Sequence, residues 1–244
     1  MRNVGIILRR ELASYFATPL AYVFILIFLV LANAFTFYLG GFYERGQADL
    51  EPFFAFHPWL YLFLIPAISM KLWAEERKSG SIELLMSLPV KLWEAVLGKY
   101  LAAWIFTALA LALTFPIWVT VNYLGKPDNG TIVAAYLGSL LLAGGFLAVG
   151  SCMSALTRSQ VVAFILGFVA CCAFLLIGFI PSLATELPGW AQTLVQAIAS
   201  LSFLTHFDSI AKGVIDVRDL LYFAMLIGFF LLATSIALDV RKAD

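Results

Sequence analysis

Between two long apolar stretches, the chain reads Glu76-Arg77-Lys78-Ser79-Gly80-Ser81-Ile82-Glu83-Leu84-Leu85-Met86-Ser87-Leu88-Pro89-Val90. The surrounding insert, residues 71–99, carries nine charged side chains. Because each charge at the centre of a bilayer costs about 2.5–3.5 kcal/mol, this insert is predicted to lie outside the hydrocarbon. A chain that is otherwise almost entirely apolar has little reason to fold such an element unless another surface packs on it.

The middle of the insert is predicted to form a short helix. Ser79 or Ser81 can cap its first turn, and Pro89 stops it. Glu83 falls in that first turn, where a carboxylate suits the positive end of the helix dipole.

The predicted helix has two apolar faces. Ile82, Leu85 and Met86 follow helical spacing on one face, and Leu84 and Leu88 form the other. Since a helix this short is not stable alone, it must contact the ends of its own spans and a further surface. On pattern alone, that surface is equally a layer of lipid headgroups or a docked partner.

Composition places the chain among integral membrane proteins. Of its 244 residues, 63% are hydrophobic and 12% are charged, against about 25% charged residues in soluble domains. The net charge is zero, which gives no electrostatic basis for binding nucleic acid. Cys152, Cys171 and Cys172 lie in apolar stretches and are expected to be buried thiols rather than a disulfide framework.

Charge-free runs define six predicted membrane spans, because a spanning helix needs about 20 mostly apolar residues. An even number of spans puts both termini on one side, which then holds 11 basic residues against four opposite. The positive-inside rule therefore predicts that both termini are cytoplasmic. The predicted segments are an elbow helix (1–19), spans 20–42 and 54–72, a cytoplasmic loop (73–99), spans 100–124, 132–156 and 160–181, an outer loop (182–218) and span 219–239.

The number of spans depends on residues 187–207, which are also free of charge. Gln192, Gln196 and Ser200 share one helical face, which is typical of an amphipathic helix at an interface. The count of basic residues cannot distinguish six spans from seven, since either number puts 11 of them inside. The polarity of this stretch favours six.

The first residues are predicted to form their own helix. Residues 3–16 follow helical spacing, and Thr18-Pro19 breaks the pattern before the first span. We expect an interfacial elbow helix with its arginines toward lipid headgroups; the alternative is a cytoplasmic extension of the first span. Its charged side chains are Arg9, Arg10 and Glu11.

The insert resembles the first cytoplasmic loop of ABC-2 type permeases, the membrane subunits of a class of ATP-driven exporters. Their pattern is an acidic residue, a short basic stretch, Gly-Thr/Ser, an aliphatic residue, Glu, Leu-Leu, Ser/Thr and Pro. The opening from Arg10 to Tyr22 and the late His206-Phe207 look most like GldF-type permeases, named for gliding motility, with the NosY type as a near relative. In this chain the loop pattern stands as Glu76, Gly80-Ser81, Ile82, Glu83, Leu84-Leu85, Ser87 and Pro89.

The resemblance implies a mechanism and a location. Two permease copies, identical or different, would face each other in a bacterial inner membrane, and each loop helix would sit in a cleft of a cytoplasmic ABC ATPase dimer. Closure of that dimer on ATP would move the loop helices, with Ile82, Leu85 and Met86 as apolar contacts and Glu76 and Glu83 as polar anchors. The implied coupling residues are Glu76, Gly80, Ser81, Ile82, Glu83, Leu85, Met86 and Pro89.

Several motifs are absent from the sequence. There is no Gly-x4-Gly-Lys-Ser/Thr phosphate loop, so ATP and Mg are expected to bind a separate ATPase and this chain is expected to be neither an enzyme nor a cofactor protein. No charged residue lies mid-span, which disfavours ion-coupled transport. His57 and His206 are expected to lie alone at the outer side, as turn or interface residues rather than metal ligands.

Two functions remain open at this point. One is an ABC-2 permease that couples ATP hydrolysis to export. The alternative is a mechanotransmission subunit that drives or regulates an extracytoplasmic companion docked on the acidic outer loops, with no substrate crossing.

Overall fold

The computed structural model describes residues 2–83, 90–183 and 189–240, and its regular structure within these ranges is entirely helical. The prediction of an all-helical membrane protein is confirmed. The first half contains α1 (Arg2–Ala17), α2 (Pro19–Ala34, continued by a π-helical turn Phe35–Leu39), α3 (Glu51–Ala55), α4 (His57–Ser69), α5 (Lys71–Ser79) and α6 (Leu92–Ala112). The second half contains α7 (Phe115–Leu124), α8 (Asn129–Ala155), α9 (Gln160–Leu176, continued by a 3-10 turn Ile177–Phe179), α10 (Ile180–Leu183), α11 (Gly189–Ala199), α12 (Phe203–Ala211) and α13 (Val217–Val240).

Within the described residues, five helices are long and apolar enough to cross a membrane. A sixth is added if α11 and α12, which meet at a bend of 72°, are taken as one span. The five are Ala21–Leu39, Leu92–Leu124, Asn129–Ala155, Gln160–Phe179 and Val217–Val240.

The predicted second span, 54–72, falls on three consecutive helices. Phe56 separates α3 from α4, and Met70 separates α4 from α5. Pro66 lies inside α4, where it removes one backbone donor from the helix. The segment is helical, but it is not among the five long candidate spans.

Residues 92–124 form the longest candidate span. At 1.5 Å per residue its 33 residues extend about 50 Å, whereas the hydrocarbon core is about 30 Å thick. The charged first turns of α6, which precede residue 100, therefore project beyond the hydrocarbon. They lie within the segment that the sequence assigned to the cytoplasmic loop.

The helix α1 packs along this projecting part of α6. Thr18 has an extended backbone (φ −109°, ψ 141°), so α1 is a helix separate from α2. A Cβ placed on Gly98 would lie 2.8 Å from Ile7, which shows how closely the two helices approach. Further along, the rings of Tyr15 and Phe106 stack with their centroids 5.1 Å apart.

The centre of the molecule is α8, the most buried of the candidate spans. It packs against α4, α5, α6, α9, α12 and α13. Its small residues make this packing close: a Cβ on Gly150 would lie 2.1 Å from Ser69 Oγ, and one on Gly145 would lie 2.9 Å from the Phe203 ring. The small residues of α8 therefore let neighbouring helices of the same chain approach closely.

Candidate functional site

A buried ion-pair network joins three helices at the end of the molecule where α1, α5 and the start of α6 meet. Lys99 Nζ lies 2.7 Å from Glu76 Oε1 and 3.3 Å from Glu11 Oε2. The Lys99 side chain is only 4% exposed, and the two carboxylates are 20% and 18% exposed. One ammonium group from α6 thus binds a carboxylate from α5 and another from α1.

Arg10 extends the network toward solvent. Its Nη2 donates to Glu11 Oε1 at 2.7 Å, and its own side chain is mostly exposed. Burial would raise the pKa of the Glu11 carboxyl, but the positive charges of Lys99 and Arg10 outweigh it and hold that pKa below its ordinary value. Glu11 therefore stays ionised in a partly desolvated position.

Trp73, in the first turn of α5, ties the network to α8. Lys99 Nζ lies 5.3 Å from the centroid of the Trp73 ring, within the range of a cation–π contact. The fully buried indole donates from Nε1 to Ser151 Oγ at 3.1 Å, and the Trp73 backbone N–H donates to Ser154 Oγ at 3.1 Å. Ser154 in turn donates to the Met70 carbonyl at 2.9 Å. We refer to Arg10, Glu11, Trp73, Glu76 and Lys99 as the Lys99 cluster.

The last turn of α5 is also anchored to α8. Arg77 Nη1 donates to the Ala155 carbonyl at 2.5 Å. Gly80 then ends α5 in a left-handed conformation (φ 74°), which glycine adopts without strain. Because α5 is held on both sides up to this glycine, it forms a firm base for the segment that follows.

After Gly80, residues 81–83 are again helical. Ser79 Oγ and Ser81 Oγ lie 2.9 Å apart across the glycine. Ile82 is half-buried and packs against the apolar core, whereas Glu83 is exposed. The other predicted coupling residues, Leu85, Met86 and Pro89, lie outside the described residues.

The structure brings only some of the residues that the sequence singled out into the Lys99 cluster. Glu76, Arg10 and Glu11 come together in the Lys99 cluster, whereas Arg9 is exposed. A cleft of about 450 Å³ opens between α1 and α5 beside the cluster. Its lining is Arg10, Glu11, Ser14, Tyr15, Thr18, Lys71, Leu72, Glu75, Glu76 and Lys99.

Sequence reasoning missed the role of Lys99, Trp73, Ser151 and Ser154. A weak signal existed for Lys99, because it is the last charged residue before the charge-free run 100–125. No local pattern marks the two serines, since their partner lies about 80 residues away in the chain.

The two histidines differ from expectation. His57 is fully buried and packs against the rings of Phe28, Phe53, Phe54 and Tyr61 instead of lying at an interface. The expectation that His206 stands alone is wrong, because its Nδ1 lies 2.6 Å from Asp219 Oδ1. Among the described residues, no group of three or more His, Cys, Asp or Glu side chains is placed to hold a metal ion.

Comparison with models of known protein families gives a match. Residues 43–238 match the model of a protein family described as ABC-2 family transporter protein. The match covers 196 of the 244 residues and includes α5, the segment after Gly80 and all of α6. A comparison with curated proteins finds no match.

Proposed function

This chain belongs to the ABC-2 transporter family and is a multi-pass membrane permease component of an ABC transporter, and we propose that it couples ATP hydrolysis by a separate cytoplasmic ATPase to export. The observation that carries the proposal is the Lys99 cluster. It connects the loop that the family resemblance assigns to the ATPase with the helices that enter the membrane.

The proposed path of force begins at the loop after Gly80. A displacement of this loop is passed to α5, the helix that ends there. Glu76 on α5 binds Lys99 on α6, and Lys99 also binds Glu11 on α1. Trp73 and Arg77 bind α8 at the same level. Movement of α5 would therefore carry α1, α6 and α8 with it.

Burial makes this connection stiff. Removing one partner of a buried ion pair typically costs about 3–5 kcal/mol, because the other charge is left without compensation. Sliding α5 past α6 would incur a similar penalty by separating Glu76 from Lys99. The lower-energy response to a force on the loop is a joint movement of the three helices.

The remaining features of the proposal follow from charge and family. The α1 end would face the cytoplasm of a bacterial cell, in accordance with the distribution of basic residues. The ATPase would bind there as a dimer, with two permease copies above it and ATP and Mg held by the ATPase. GldF-type permeases are the subgroup that the sequence resembles most.

The test is co-purification from detergent-solubilised membranes of cells that express the full chain with its native partners. Wild type is compared with a Glu83→Arg/Leu85→Asp variant and with Lys126→Glu, a matched charge reversal at an exposed position at the other end of the molecule. We expect an ABC ATPase with wild type and Lys126→Glu, and at least a tenfold loss with the loop variant. An ATPase retained equally by all three, or by none, would contradict the proposal.

A second measurement separates docking from transmission. In the purified complex, Lys99→Met is expected to keep the ATPase bound while transport falls relative to ATP hydrolysis. If transport per ATP hydrolysed is unchanged, the Lys99 cluster has no part in coupling.

A further inference from the structure

At the end opposite the Lys99 cluster, a histidine and a tyrosine fasten the bent pair α11–α12 to the last span; the Tyr222 hydroxyl donates to the Leu201 carbonyl at 2.6 Å. His206 Nδ1 lies 2.6 Å from Asp219 Oδ1 in the first turn of α13. His206 Nε2 lies 2.9 Å from the Ser200 carbonyl oxygen, at the corner between α11 and α12. The Tyr222 ring stacks on the imidazole with centroids 4.0 Å apart. The imidazole therefore contacts the corner on one side and the span on the other.

The geometry fixes the number of protons at this site. A carbonyl oxygen only accepts hydrogen bonds, so Nε2 must carry a proton to bond Ser200. The contact between Nδ1 and Asp219 needs a second proton, carried by either atom. A neutral imidazole beside an ionised carboxylate holds only one proton in total, so it can make one of the two bonds but not both.

Burial adds a reason for the second proton. Asp219 is 6% exposed, and its Oδ2 is buried without a hydrogen-bond partner among the described residues. An ionised carboxylate in that position needs a neighbouring positive charge or a proton of its own. A protonated His206 supplies the charge, and the face of the Tyr222 ring favours a cation over it.

We propose that His206 and Asp219 form a proton-binding site that locks the α11–α12 corner when it is occupied and loosens the corner when the proton leaves. Without that proton, His206 keeps its Nδ1–H bond to Asp219 and Tyr222 keeps its bond to Leu201, but a bare Nε2 lone pair faces the Ser200 carbonyl. That repulsive contact loosens the corner. The proposal does not depend on the proposed transport function.

The surroundings leave few other charges to compensate Asp219. The helices packed on α12 are α8, α9 and α13. Neither α8 nor α9 carries a charged side chain, and α11 carries none either. On α12 itself the acidic group is Asp208, and α13 adds Arg218 beside Asp219; Tyr222 is the titratable group stacked on the ring.

The chain has only two histidines, so the site can be observed directly. The full-length protein is labelled with ¹⁵N-histidine, placed in lipid and studied by solid-state NMR from pH 5 to pH 8. His206→Gln assigns the signals, and His57 serves as an internal reference. We expect two protons on the pair at pH 5 and one at pH 8. A His206 that keeps one protonated and one bare nitrogen at every pH would overturn the proposal.

The locking is tested by hydrogen exchange of the same protein, corrected for intrinsic exchange rates. Peptides covering residues 199–207 should exchange at least threefold faster at pH 8 than at pH 5.5 in wild type and in Lys212→Gln. In His206→Gln this pH response should disappear, and in Asp219→Asn, which keeps an acceptor but not its charge, the response should move to lower pH. An unchanged pH response in His206→Gln would refute the lock, even if the histidine titrates.

Discussion

The sharpest test of the fold is Lys99→Met, which removes the charge of the Lys99 cluster but keeps most of the side-chain volume. Glu11 and Glu76 would then face each other at 18% and 20% exposure without their shared counter-charge. Loss of one partner of a buried ion pair costs about 3–5 kcal/mol. Since both carboxylates retain some contact with water, we expect the lower end, about 3 kcal/mol, or roughly a hundredfold in the unfolding equilibrium.

The assay is equilibrium unfolding of the purified protein in mixed micelles, followed by tryptophan fluorescence. The six tryptophans of the chain, among them Trp73 at 5.3 Å from Lys99 Nζ, together report global unfolding. The matched control is the triple variant Glu11→Gln/Glu76→Gln/Lys99→Met, in which no buried charge of the cluster is left unpaired, because Arg10 is mostly exposed. Because replacing a whole buried ionic group is often nearly neutral, the triple variant should recover more than half of the stability that Lys99→Met loses.

The difference in stability between the single and the triple variant is decisive. If the single and triple variants were equally unstable, the lysine would act through its packing rather than its charge. If Lys99→Met unfolded at the same denaturant concentration as wild type, the ion pairs would contribute nothing measurable, and the stiffness argued for the path of force would be refuted.

Three further predictions concern other contacts. Gly150→Ala should destabilise the protein by about 1–3 kcal/mol, because the new Cβ would lie 2.1 Å from Ser69 Oγ. Adding Ser69→Gly should restore most of the lost stability in an unfolding titration. Failure to restore it would contradict the packing argument. The pKa of Glu11 is lower in the folded state than in the unfolded state, where it is about 4.3. The stability that the ionised Glu11 contributes is therefore complete above the unfolded pKa and is lost as the pH falls through the folded pKa. Unfolding measured from pH 6 to pH 3 should show this loss in wild type and not in Glu11→Gln. Ser151→Ala should lower the free energy of unfolding by about 1–3 kcal/mol, because it leaves the Trp73 indole N–H unpaired. The double variant Ser151→Ala/Trp73→Phe should lose less stability than the sum of the two single variants. Simple additivity would argue against the hydrogen bond.

The sequence predicted the fold class because hydrophobic runs and charge-free lengths are local properties. The break between α1 and α2 followed from Thr18-Pro19, and the amphipathic stretch 187–207 contains α11 and the start of α12. The break at Met70 within 54–72 was not predicted, since Met70 carries no breaker signal.

The candidate site was predicted only in part, for a physical reason. The loop pattern identifies Glu76 by its neighbours, but the partner that holds it depends on how α1, α5 and α6 pack. Lys99 and Glu11 are 88 residues apart, and hydropathy contains no information about which helix ends meet. The same holds for His206, whose partner Asp219 lies on a different helix.

The two ends of the molecule are connected by α8. At 1.5 Å per residue, its 27 residues span about 40 Å. Near its C-terminus, Ser151 and Ser154 bind Trp73 of the Lys99 cluster. Near its N-terminus, a Cβ on Gly138 would lie 2.9 Å from Ile210 of α12, the helix that carries His206. A continuous, closely packed helix does not bend readily, since its neighbours leave no free volume. A displacement imposed on the Lys99 cluster should therefore reach the α12 corner as a rigid-body movement of α8, and the proton proposed at His206 would decide how stiffly that corner responds.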